Sequence, residues 1–93
     1  MSPEMAQSFK ELAGAIFKHE LEAPSTIVKK HGKNVAIQKL TMDQARQGRP
    51  EDIENIDIIR REAIDEAKEF LVEHKDDKNW REALKEKMKQ VRK

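Results

Sequence analysis

The sequence predicts an α+β fold: a helix, a β-hairpin and a short helix, followed by a long acidic helix and a basic C-terminal helix. Three observations predict it. Apolar residues recur at helical spacing through most of the chain. One stretch, Thr26 to Gln38, instead gathers β-branched residues on either side of a glycine. Pro and Gly mark the element boundaries, and Ser, Thr and Asn stand where helices would start.

The first helix starts at Ser2-Pro3-Glu4, a capping Ser followed by Pro at the first helical position and Glu in the first turn. Met5, Phe9, Leu12, Ala13 and Ile16 form one apolar stripe, widened by Phe17 and Leu21. Ala23-Pro24 ends the helix, because a residue before Pro is biased away from the helical region.

With His31-Gly32 as the turn, Lys30 faces Lys33, Val28 faces Val35 and Thr26 faces Ile37. Thr26, Val28, Val35 and Ile37 then share one face, and Lys29, Asn34 and Gln38 the other. A two-residue hairpin loop needs positive φ, which Gly takes freely and His tolerates. A helical pattern over Ala36, Ile37, Leu40 and Gln44 competes with this reading. The hairpin is favoured by the β-branched cluster, by the central Gly and by Thr41-Met-Asp-Gln44, which reads as a capping box opening a new short helix.

Gly48-Arg49-Pro50 closes that helix and opens the next, which runs to His74, about 38 Å at 1.5 Å per residue. Ile53, Ile56, Ile59, Ala63, Ile64, Ala67, Phe70 and Leu71 make its apolar face, with Ile58 and Val72 off it. The stretch Lys75 to Asn79 breaks the helix. Asn79-Trp-Arg-Glu82 resembles a second capping box, opening a final helix with Trp80, Leu84, Met88 and Val91 on one side.

The chain has 93 residues and a net charge of +1, but the charge is segregated. Residues 25–49 carry six basic groups against one acidic, residues 50–77 four against eleven, and residues 78–93 seven against two. Either different segments meet different partners, or the acidic block lies against its basic neighbours. The final basic helix could pair with the acidic helix, lie on nucleic acid or rest on an anionic surface.

Lys29, Lys30, Lys33, Lys39, Arg46 and Arg49 could contact phosphates, or the hairpin lysines could simply guard an edge strand. There is no cysteine, so neither a disulfide nor a thiolate site is available. His19, His31 and His74 show no metal-ligand spacing, and there is no Gly-rich phosphate loop. The reading is therefore no enzyme, no metal and no cofactor. No apolar run approaches the ~20 residues of a membrane span and no signal core follows Met1, which points away from a membrane and to a cytoplasmic address.

Met5-Ala-Gln-Ser-Phe9-Lys-Glu-Leu12 and Ala23-Pro-Ser-Thr-Ile-Val-Lys-Lys-His-Gly-Lys-Asn-Val-Ala-Ile-Gln-Lys-Leu40 resemble the opening helix and the strand–turn–strand of the Phd/YefM antitoxin family. Thr41 to Gln47 falls where that family has a short helix. The resemblance covers residues 4–47. The chain lacks the family's leading strand, and Gln7 stands where a basic residue usually follows the first Ala.

The resemblance implies a homodimeric, operator-binding domain over residues 1–48. It would contact DNA at Gln7, Ser8 and Lys10, with Lys29, Lys30 and Lys33 on the hairpin. Residues 50–93 would be the segment that neutralises a cognate toxin or other protein. Read from the residues, the surface for that partner is Ile53, Ile56, Ile59, Ile64, Phe70 and Leu71 of the long helix, with Trp80 and Leu84. The alternative is a protein-interaction or inhibitor module on the same fold without the DNA role.

Overall fold

The computed structural model describes residues 2–92 and contains α1 (Pro3–Glu22), β1 (Ser25–Lys30), β2 (Lys33–Gln38), α2 (Met42–Gln47), α3 (Pro50–His74) and α4 (Trp80–Val91). This is the α+β arrangement expected, with two strands set among four helices.

Local chemistry explains each boundary. The Ser2 hydroxyl accepts the Met5 amide at 3.1 Å, and Pro3 takes the first helical position, where its missing N–H costs nothing. Ala23 is extended ahead of Pro24, which stops α1. The hairpin pairs Thr26 with Ile37, Val28 with Val35 and Lys30 with Lys33 around a turn in which His31 (φ 53°) and Gly32 (φ 76°) are both left-handed. Thr41 and Gln44 exchange the two hydrogen bonds of a capping box at α2, and Gly48 closes that helix at φ 62°.

The turn can be tested directly. Gly32→Val places a β-branched side chain at φ 76°, and holding an L-residue there costs about 1–2 kcal/mol. Urea denaturation should show a loss of that size; an unchanged midpoint would mean that the turn relaxes to another type.

The start of α4 departs from the expectation of a capping box. Asn79 sits at φ −100°, ψ 22°, outside the extended region a cap needs, and makes no side-chain cap bond. Asp77 organises this turn instead. Its carboxylate accepts the Asn79 amide at 2.8 Å, and its carbonyl accepts the Trp80 amide at 3.2 Å.

Three helices form the body. Leu12, Ala13 and Ile16 of α1 pack against Ala63 and Ala67 of α3, with Leu84, Met88 and Val91 of α4 closing over them. The two alanines are spaced four apart, so α3 presents a flat strip that lets α1 approach closely. Phe9 of α1 lies by Leu71, Phe17 beneath the Arg60 guanidinium, and Ile16 near Ile59, so α1 and α3 are antiparallel. Helix α4 returns alongside α1, from Arg81 beside Glu4 to Val91 near Glu22.

The hairpin closes the opposite end. Val28 and Ile37 are buried against Ile59, with Phe17, Leu21 and Ile58 around them. Ile58, off the main apolar face of its helix, is half-buried because the hairpin wraps past that edge. Val72, also off the face, is exposed. The core crosses the boundary that the resemblance draws at residue 48, since α3 supplies Ala63 and Ala67 to the same cluster as Leu12.

Candidate functional site

The residues that the sequence nominates for DNA do not converge on one patch of this chain. Gln7 and Lys10 lie exposed on the first half of α1, whereas the hairpin packs against Phe17 and Leu21 on the second half. Ser8 is buried, one helical turn before Leu12, which removes its hydroxyl from any outer surface. Lys30 points inward. Its Nζ donates to Asn55 Oδ1 at 3.2 Å and lies 3.3 Å from Glu54 Oε2, while His31 Nε2 is 3.4 Å from the other oxygen of Glu54. Lys30 therefore ties the hairpin to α3. Lys29 and Lys33 stay exposed, and the outer hairpin face of Ser25, Ile27, Lys29, Asn34, Ala36 and Gln38 carries no carboxylate.

The partner-binding residues separate as well. Ile59 is buried beneath the hairpin, and Leu71 and Trp80 are largely covered by the helical body, though both line a groove between α1, α3 and α4. The hairpin covers Ile59, whereas Leu71 and Trp80 are buried where the start of α4 docks beside α1. Ile56, Ile64, Phe70 and Leu84 are half-buried, the last three packed against the α1–α3 core. Ile53 is exposed at 55%.

One surface escapes a reading of single helices. The start of α1, the end of α3 and the start of α4 enclose a groove floored by Met5, Phe9, Leu71, Val72 and Trp80 and rimmed by Lys10, Lys68 and Lys75. Its signals in the sequence are scattered: Val72 off its helix's main face, and lysines from two distant segments.

A latch holds the wall of this groove. Arg81 donates from Nε and a terminal nitrogen to the two oxygens of Glu4, at 2.7 and 2.5 Å, while its guanidinium stacks on the Trp80 ring at 4.6 Å. The Arg81 hydrogen bond holds the Glu4 carboxyl below its ordinary 4.5 and raises Arg81. In the connecting turn the Asn79 amide, and then His74, lower the Asp77 carboxyl below 3.8. His74 is also set against the Phe70 ring, centroids 4.5 Å apart.

Both carboxyl groups have depressed folded values, so the stability they confer is present above their ordinary values and fades as pH falls through the depressed ones. The docking of α4 should therefore loosen below about pH 4. Acid titration of Trp80 fluorescence checks this, and Glu4→Gln should remove the Glu4 part of the transition. Persistence of the whole transition in that variant would assign it to other groups.

Among the described residues, no group of three or more His, Asp or Glu stands where it could hold a metal ion, and no helix is long and apolar enough to cross a membrane. No family model, curated protein or solved structure matches the chain significantly.

Proposed function

We propose that this chain is an antitoxin-like regulator that neutralises a protein partner and, as a homodimer, contacts operator DNA through its hairpin. The observation that carries the reading is the hairpin. The segment resembling the Phd/YefM family forms a strand–turn–strand in the register its residues dictate, with the Lys30-His31-Gly32-Lys33 turn at the tip and Val28 and Ile37 seated on the helices. Lys29 and Lys33 stay exposed and offer phosphate contacts, with Glu62 engaged at the Lys29 backbone amide, and a two-fold axis doubles them.

A second reading keeps the fold and the protein partner without DNA, and specific observations favour it. Glu54 occupies Lys30 and His31, Ser8 is buried, and the start of α1 is committed to Arg81 through Glu4. A gel shift with the DNA upstream of the protein's own gene separates the two readings. Binding to that DNA that weakens with salt and with Lys29→Ala/Lys33→Ala supports the regulator. No shift at low salt removes the DNA role. Co-expression with the product of the adjoining gene tests the partner role: a stable co-purified complex that relieves growth arrest is expected.

A further inference from the structure

We propose that the groove between α1, α3 and α4 receives an amphipathic helix of a partner protein, its apolar face flanked by carboxylates. This rests on the partner-holding part of the reading above and is independent of DNA. The groove encloses about 820 Å³, and its floor is apolar. Val72 lies 62% exposed in its lining and extends that apolar floor outward. Met5 gives the floor an adaptable side chain.

Charge specifies the occupant. Lys10, Lys68 and Lys75 ring the opening, and no carboxylate lines it. Where cations stand against the packed body, acids meet some of them: Lys30 with Glu54, Arg81 with Glu4 and Lys87 with Glu66. The three rim lysines have no ion pair among the described residues. With three lysines and no carboxylate in its lining the groove suits an anionic visitor, whereas the neighbouring hollow that shares Lys68 and Val72 is lined by Asp65, Glu69 and Glu73 and does not.

Backbone chemistry specifies its conformation. The walls are helices, which offer no strand edge to an extended peptide. An amphipathic helix satisfies its own backbone and needs from the groove only an apolar floor and a charged rim. Apolar anchors at i, i+3, i+4 and i+7 fit such a floor, with Glu or Asp beside them reaching the rim.

Trp80 is the only tryptophan and lines the groove, so its fluorescence reports occupancy. The probe is a synthetic peptide of about four helical turns with a leucine stripe flanked by glutamates, compared with a lysine-flanked version and a scrambled one. The glutamate-flanked peptide should give a saturable blue shift and bind about tenfold tighter than the lysine-flanked one. The triple variant K10E/K68E/K75E should reverse that preference, and Val72→Glu should weaken both.

Equal binding of the two charge versions, or no shift with either, overturns the proposal. So does a concentration-dependent dimer that Val72→Glu dissociates, because a second copy would then fill the groove. If the adjoining gene's product still co-purifies with the triple variant, the groove assignment falls and the partner role stands. If the peptides behave as expected but no such complex forms, the partner role assigned above falls instead.

Discussion

Leu12→Ala is expected to destabilise the protein by about 3–4 kcal/mol, the largest loss for a single truncation in this fold. Leu12 is fully buried at 0% exposure, and its neighbours include Ala13, Ala63 and Ala67. Alanines have no longer side chain to swing into a void, and α1 and α3 already lie close, so the cavity stays open. Leucine-to-alanine costs rise with the volume that fails to collapse, which places this site in the upper part of the usual range. Against a typical total of about 5–15 kcal/mol the loss is large. Thermal unfolding followed by circular dichroism should move down by roughly 15 °C. A loss under about 1 kcal/mol would mean that α4 re-packs into the space.

Trp80→Ala should act differently, by freeing one element. Trp80 is 8% exposed and anchors the start of α4 beside the latch from Arg81 to Glu4. Truncating a buried Trp costs about 3–5 kcal/mol where the surroundings stay in place. Here the loss is capped by the docking energy of α4, because beyond that point the helix detaches. A free helix of 12 residues is marginal in water. Hydrogen exchange should therefore show residues 80–91 losing protection while the buried stretches of α1 and α3 keep theirs. Simultaneous loss across all elements would show that α4 belongs to one cooperative unit with the core.

These two variants also mark the limit of what was legible in the chain. The hairpin register followed from Gly32 and the alternation of β-branched residues, and the bounds of α3 followed from Pro50 and the break after His74. The capping boxes divide instructively. Thr41 with Gln44 forms one because Thr41 is extended, whereas Asn79 does not because Asp77 captures its amide first. Both segments read alike, and a single competing carboxylate two residues upstream decided between them.

The site was less legible, since burial depends on which element covers which. Ile59, Leu71 and Trp80 read as partner contacts on a helix taken alone, yet the hairpin and the helical body bury them. Lys30 read as a free cation until Glu54, 24 positions onward, met it. The lysine-rimmed groove had no motif to reveal it, because its residues come from three helices.

Helix and strand identity, the turn and most boundaries were therefore set within the chain's local order, because spacing, caps and turn residues act over a few positions. The groove and the latch were decided only by α4 returning along α1, and the split between buried and open apolar residues by how the helices and the hairpin cover one another. The return of α4 joins residues 77 positions apart, and the packing that brings them together is a property of the whole core rather than of any segment.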